Sequence, residues 1–393
     1  MHIAVLFHRL GPYHYARLDA LAACASLTAI EFSRVDRTYE WTIESHARSY
    51  PVITLFEERD VGDVHAKEIK RRMAEVLNTT APDVVAVPGW SAPAALAALK
   101  WCIDTRTPAV LMSESTAHDE PRHWWREAVK KRVVKMASSA LVGGAPHKNY
   151  ITQLGMPGSG VYDGYDVVNN AHFAAGAAKA MQREAAERVR LGLPAAFFLA
   201  SNRFIAKKNL PVLIEAYDRY RKSAGEDPWH LVLLGDGPLR GELEEIIYEH
   251  GLDDWVYLPG FKQYDELPSF YALAGAFVHV STSEQWGLVV NEAMAAGLPV
   301  LVSSRCGCAP ELVADGENGY LLNPTDPEAI AERMRWVSAD DCDRSAMGLS
   351  SCKIISQWTP ERFANGLIDA AEAARAAPRS TGYWWAGVLL AAL

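Results

Sequence analysis

No run in the 393-residue chain approaches the about 20 consecutive apolar residues that a membrane-spanning helix needs. The last stretch, Gly382 to Leu393, is apolar and carries Trp384 and Trp385, yet it is too short to cross. Cysteine is sparse, six residues without disulfide-like spacing. Cys306-Gly-Cys308 is the one close pair, and no His/Cys cluster stands beside it to complete a metal site. Small buried thiols in a reducing cytosol are therefore expected. The apolar start MHIAVLF runs into His8, Arg9 and a Gly-Pro turn where a signal peptide would have its cleavage site, so no export signal is expected and the location reads as cytoplasmic. Repeats, coiled-coil heptads and low-complexity tracts are absent too. Positive charge is in deficit, the net charge being −9. Residues 1–180 carry 20 Lys/Arg against 19 Asp/Glu, and residues 181–393 carry 19 against 29. An acidic second half argues against a nucleic-acid partner.

What remains is an ordinary globular composition, 49% hydrophobic and 22% charged, in a chain long enough for two cores. Apolar strand-like runs alternate with helical patterns through both halves. In the first half they fall at 3–7, 27–32, 52–56, 84–87, 109–112, 140–142 and 161–163. The second half restarts the pattern at 197–199, 231–234, 255–258, 276–280, 300–302 and 320–322. Continuous apolar strands separated by helices indicate parallel sheets covered on both faces. The fold class is α/β, two Rossmann-like doubly wound domains in series. The Ala/Gly-rich stretch 171–193 reads as the joint, giving domains at 1–180 and 181–358. The segment 359–393 then holds a last helix, expected to cross back to the first domain, and the apolar tail. The obvious ligand site is a cleft between the domains, at the carboxyl ends of the strands.

Glu284 and Glu292 bracket the run EQWGLVVNE, which follows an apolar strand and opens a helix. The amides of Gly287 and Leu288 fall among the first-turn donors, where direct hydrogen bonds and the helix dipole stabilise a phosphate. Glu292 lies roughly 8 Å further along the axis at 1.5 Å per residue, about the reach from a diphosphate to its ribose. Glu284, before the helix, reaches a sugar hydroxyl. On spacing alone, two solvated glutamates on a surface helix fit equally well. Arg203 and Lys208 flank the loop after the strand that opens the second domain, where a guanidinium fork and an ammonium suit a diphosphate. A solvated cluster capping a helix is the plainer reading. The turn Leu10-Gly11-Pro12-Tyr13 follows the first strand, where glycine lets a phosphate approach backbone, though it falls well short of GxGxxG. Gly235-Asp236-Gly237-Pro238 reads as a structural turn. Gly260 and Phe261, in the next strand-end turn, present backbone to a nucleotide base. Gly307-Cys308 offers amides to a sugar or phosphate, or is merely a tight connection. Glu114, ending the fifth strand, and His118 in the loop beyond it are candidates for the acceptor side.

Residues 122–136, RHWWREAVKKRVVKM, hold six Lys/Arg against one acid, with Trp125, Val129, Val133 and Met136 at helical spacing. Such a helix reads as a surface for anionic membrane, or as an ordinary helix packing that stripe on its own sheet.

Taken together, these motifs resemble glycosyltransferase family 4, the retaining, sugar-nucleotide-dependent enzymes of the GT-B fold. The resemblance rests on Arg203 and Lys208, GDGPLRGELE, LPGF, the Glu284–Glu292 bracket, EAMAAGLPVLVS, APELV and DGENGYLL. It is weaker in PDVVAVPGW, PAVLMSES and DGYDVVNNAHF. It implies that Arg203 and Lys208 hold the donor diphosphate, Glu292 the ribose and Glu284 the transferred sugar. Gly287 and Leu288 would lie at the phosphate, with the Gly11 loop closing from the other domain. It further implies no cofactor and no metal, a UDP- or GDP-sugar donor, and front-face transfer with retention to a hydroxyl acceptor: lipid-linked, polysaccharide or small molecule. Asn202 stands where the family has glycine before its arginine, Cys308 replaces the second glycine of a Gly-Gly loop, and Ser-Glu-Ser replaces a frequent His-Asp. Other readings are a sugar-nucleotide epimerase or phosphorylase, for which no motif is visible, and a non-catalytic nucleotide-sugar-binding protein. Peripheral contact with the inner face of a membrane would run through 122–136.

Overall fold

The computed structural model describes residues 1–35 and 48–377; the apolar tail with Trp384 and Trp385 lies outside them. The chain forms two compact units, one from residues 1–167 with 360 onward, the other from Val168–Thr359.

Among the described residues the first unit holds seven strands: β1 His2–Phe7, β2 Ser26–Ser33, β3 Val52–Phe56, β4 Val84–Pro88, β5 Ala109–Ser113, β6 Ser139–Val142 and β7 Val161–Asp163. They pair in parallel in the order β3-β2-β1-β4-β5-β6-β7. Ile3 to Leu6 and Val84 to Val87 have no exposure at all, as central parallel strands covered on both faces require. Helix Pro12–Ala22 follows β1, with proline pre-set for a first helical turn.

The second unit holds β8 Phe197–Ser201, β9 His230–Leu234, β10 Val256–Gly260, β11 Ala276–His279, β12 Val300–Ser303 and β13 Gly319–Leu322. Their order is β10-β9-β8-β11-β12-β13, again parallel throughout. In both sheets the winding direction reverses beside the first strand: between β1 and β4, and between β8 and β11. The loops leaving two such strands part in opposite directions, which opens a crevice at their carboxyl ends.

The units divide at 167/168, not at 180/181. The Ala/Gly-rich stretch read as a joint begins with helix Asn170–Met181, which buries Phe173, Ala177 and Ala180 within the second unit. Its small residues serve close packing: a Cβ on Gly176 would stand 2.5 Å from Pro268 Cβ. Helix Pro360–Ala376 packs instead on the first unit. It lies against β5, β6, β7 and helix Pro12–Ala22, with Ser139 Oγ donating to Ala370 O at 2.6 Å.

Candidate functional site

The second unit assembles its polar groups at the carboxyl edge, on either side of the β8/β11 reversal. From β8 the chain runs through Asn202 and Arg203 into a single 3-10 turn, Ala206–Lys208. The turn after β9 cradles this loop. Phe204 N donates to Asp236 O at 2.9 Å and Leu239 N to Phe204 O at 3.1 Å. Gly235, at φ +122°, leaves no room for a side chain, since a Cβ there would lie 1.8 Å from Asn202 O. The GDG turn is therefore structural, and what it fixes is the backbone that presents Arg203, an exposed residue. At the loop's far end Asn209 Nδ2 donates to Val280 O at 3.2 Å and to Pro324 O at 2.6 Å, tying it to β11 and β13.

From β11 the chain passes Ser281 and Glu284 to Gly287, the N-cap of helix Leu288–Ala295. Gly287 sits at φ +107°, a left-handed conformation that favours glycine. Among the described residues the amides of Gly287 and Leu288 meet no backbone acceptor, as expected of a helix start. Segment 284–286 is zipped to the loop after β12. Glu284 bridges Cys306, Gly307 N donates to Glu284 O at 3.0 Å and Cys308 N to Trp286 O at 3.2 Å. The amides of Gly307 and Cys308, considered above for a sugar or phosphate, are consumed in this strap. Trp286 is buried beneath it, donating from Nε1 to Asn291 Oδ1 at 2.9 Å.

The two loops meet in an ion cluster. Lys208 Nζ donates to Glu284 Oε2, and Lys207 Nζ to Oε1 at 3.2 Å. The Lys208 and Glu284 side chains are only 14% and 12% exposed, whereas Lys207 is 44% exposed. Ser281 Oγ donates to Glu284 Oε2 at 3.4 Å, and His279 Nε2 stands 3.8 Å from the same oxygen. Burial pushes the Glu284 carboxyl up, but His279 and the charges of Lys208 and Lys207 outweigh it and hold the group well below the usual carboxylate range. Cys306 behaves oppositely, its thiol pushed up to about 12 by burial and then by the charge of Glu284.

Glu292 is not a solvated glutamate. It is fully buried, and Tyr271 OH, itself fully buried, donates to its Oε2 at 2.6 Å. Burial and then Glu292 hold the Tyr271 hydroxyl well above its usual range, so it stays a proton donor. Tyr264, stacked on His172 with ring centroids 4.2 Å apart, feels the same two influences. Gly260 ends β10 at φ +82°, and a Cβ there would meet nothing within 4 Å. Its backbone borders open space, with Phe261 half-buried beside it. Sequence reasoning missed His279, Ser281 and Tyr271, because they lie inside or beside apolar runs that read as core.

The structure places Gly11, Glu114 and His118 in the first unit. The Gly11 amide is already engaged, donating to His14 Nδ1 at 3.1 Å, and φ is an ordinary −140°. It is therefore not an open phosphate donor, and the turn does not demand glycine for its conformation. Glu114 lies near the fully buried Asp166, whose acid is raised well above its usual value by burial and then by the Glu114 charge, with Arg17 opposing. Arg17 Nε in turn donates to Val167 O at 3.1 Å. His118 is exposed, in a loop closed by Thr116 and Asp119. Helix Trp124–Val134 corrects the reading of its stripe. Val129, Val133 and Met136 pack into the core, while Trp124 and Trp125 stand out at 84% and 51% exposure. Arg122 and Lys130 gather on Glu127 and Tyr150, which leaves Arg126, Lys131, Arg132 and Lys135 outward. Among the described residues no group of three or more His, Cys, Asp or Glu is placed to hold a metal ion, and no helix is long and apolar enough to cross a membrane.

Solved structures share this architecture. HepE from Anabaena in complex with UDP and glucose matches at a TM-score of 0.72 and 20% identity, over 94% of this chain and 98% of that one. Sucrose-phosphate synthase from Thermosynechococcus elongatus matches at 0.71 and 20%, over 93% and 97%. The fold class is GT-B, two Rossmann-like α/β domains. Residues 182–351, all within the second unit, match the model of the glycosyl transferases group 1 family. Among curated relatives, sulfoquinovosyl transferase SQD2 of Arabidopsis thaliana is 34% identical over 145 residues, 36% of this chain and 26% of that protein. The GDP-mannose-dependent alpha-(1-6)-phosphatidylinositol monomannoside mannosyltransferase of Mycobacterium tuberculosis is 29% identical over 198 residues, 48% and 50%. The matches thus span half or less of these relatives' length.

Proposed function

We propose that the protein is a retaining glycosyltransferase that moves a sugar from a UDP- or GDP-sugar to a hydroxyl acceptor. One observation carries this reading: Lys208 and the Gly287–Leu288 helix start converge on Glu284 at the sheet's reversal point. Arg203 and Lys208 neutralise charge growing on the departing diphosphate, with the two amides adding fixed dipoles. Glu292, its Oε2 fixed by Tyr271, is the carboxylate assigned to the ribose diol, and because it is fully buried the diol reaches it only when donor binding opens the wall around it. The ionised Glu284 accepts from a hydroxyl of the transferred sugar. Gly260 and Phe261 border the base. Bond breaking generates an oxocarbenium-like centre, and the donor's own phosphate takes the acceptor proton on the same face, so a flanking carboxylate pair of the glycosidase kind is not needed. The cations perform the electrostatic work a metal would otherwise do.

The test is slow donor hydrolysis by purified protein over a panel of UDP-, GDP- and ADP-sugars. Lys208→Ala and Glu284→Ala should each abolish turnover with the fold intact, and normal rates in either variant would sink the assignment.

A peripheral membrane contact through 122–136 is supported by Trp124 and Trp125 standing in solvent beside outward cations, since aromatic rings and basic groups suit an anionic interface. Sedimentation with anionic liposomes should be lost when both tryptophans become alanine. Unchanged binding would assign the helix a purely structural role.

A further inference from the structure

Four polar side chains form a chain running inward from Lys208. Lys208 reaches Glu284 Oε2; Ser281 Oγ approaches that oxygen at 3.4 Å; His279 Nε2 approaches Ser281 Oγ at 3.2 Å. Ser281 and His279 have no exposure. A hydroxyl has one proton, and the neighbouring carboxylate claims it, so Ser281 must accept from His279. That fixes the tautomer with hydrogen on Nε2 and a bare Nδ1. His279 Nδ1 is buried with no hydrogen-bond partner. Protonating the ring would place a second N–H there, a buried donor with no acceptor, so the imidazole stays neutral. Burial pulls His279 below its usual range in the same direction. The ring edge also borders the phosphate end of the site, since a Cβ on Gly287 would lie 3.7 Å from His279 Nε2.

We infer that His279, acting through Ser281, is a positioning residue that holds the Glu284 carboxylate in place when a donor diphosphate draws Lys208 away. The inference rests on the proposed role of Glu284 toward the transferred sugar. In the ligand-free protein Lys208 alone would suffice to hold Oε2. A diphosphate carries more charge than one carboxylate and competes for the same ammonium. Once Lys208 turns to it, Lys207 still holds Oε1, but it is 44% exposed and well screened. Oε2 is then left to Ser281, whose proton points at it only because His279 donates to the other side. A neutral donor suits this task, since a cation there would compete with the sugar for the carboxylate.

The experiment compares His279→Leu, His279→Gln and His279→Asn in donor hydrolysis, with UDP and GDP affinity measured by calorimetry. Gln places an amide N–H near the Nε2 position, Asn falls short of it, and Leu has none. Leu and Asn should lower kcat roughly tenfold to a hundredfold, the range for a misplaced reacting group. Nucleoside diphosphate affinity should stay within about twofold, because Arg203, Lys208 and the helix amides are untouched. Gln should recover most of kcat. A normal kcat in the Leu variant overturns the inference, as does an equal fall in all three variants, which would make the ring mere packing. If Leu lowers the melting temperature, the Gln–Asn pair decides alone. Glu284→Ala run in parallel separates the two readings: full activity there refutes the proposed function itself, whereas loss there with normal His279→Leu refutes only this inference.

Discussion

Lys207 and Lys208 are adjacent, carry the same charge and reach the same carboxylate, yet they should differ sharply in function. The side chain of Lys208 is 14% exposed against 44% for Lys207. Two unit charges 4 Å apart interact by about 4 kcal/mol at an effective dielectric of 20, but by about 1 kcal/mol in bulk water. A charged hydrogen bond contributes about 1.5–3 kcal/mol, so Lys208→Ala should weaken UDP or GDP binding by roughly 10- to 150-fold. Lys207→Ala removes a water-screened partner, for which about 0.2–1 kcal/mol, or less than roughly sixfold, is expected. Salt separates them further. Raising ionic strength toward 1 M shortens the screening length to about 3 Å, which should erase the Lys207 effect and leave most of the Lys208 effect. Isothermal titration calorimetry of both variants at low and high salt is the assay. Equal losses at the two positions, or none at Lys208, would show that burial at the strap does not focus the field on a diphosphate.

Gly235→Ala should displace Asn202 and with it the Arg203 backbone, given the 1.8 Å approach and φ of +122°; a loss of about 1–3 kcal/mol in stability together with weakened UDP binding is expected, and a variant with the parent's melting temperature would contradict the packing. If Glu292 holds the ribose, the wild type should prefer UDP over 2′-deoxy-UDP and Glu292→Gln should lose most of that preference, so competition titrations showing unchanged discrimination would move the ribose elsewhere. His14 Nδ1 must be unprotonated to accept the Gly11 amide, and burial, then Arg17, lowers its pKa to about 3. Its contribution is therefore complete above the unfolded value near 6.5 and drains away as pH falls from there toward 3. Melting curves of His14→Leu should lie below wild type at pH 7.5 and converge with it by pH 4; parallel curves would refute the linkage.

Among the described residues the strands of both sheets were legible as apolar runs, most sharply the central ones such as β1 and β4, because a parallel strand buried on both faces offers few polar positions to blur it. The joint was not legible. Ala171 to Met181 reads like a linker from composition, yet Gly176 is there so that one helix can lie against Pro268. Helix Arg344–Ile355 was missed for a similar reason: Gly348 sits in its middle and Ser351 is buried, donating to Leu298 O, neither of which fits an apolar stripe. Of the proposed site residues, Arg203, Lys208, Glu284 and Glu292 stood out by residue type and by position after strands. That Lys208 pairs with Glu284 depends on β8 lying beside β11, which linear spacing does not encode. Tyr271 was hidden likewise, its partner Glu292 lying across a strand and a loop. For Gly11 the strand-end rule identified the right kind of turn but not its histidine, which occupies the amide.

The excursion of the chain has a consequence for how it is made. The first unit lacks its covering helix until residues 360–376 exist, and the whole of Val168–Thr359 lies between. At about 5–20 residues per second, roughly ten to forty seconds of synthesis separate the two parts of one core. During that interval β5, β6 and β7 emerge with one face uncovered, while every strand and helix of the second unit becomes available in a single stretch. The unit encoded second is thus the first that can be completed, and the unit encoded first waits on a helix encoded after all of it.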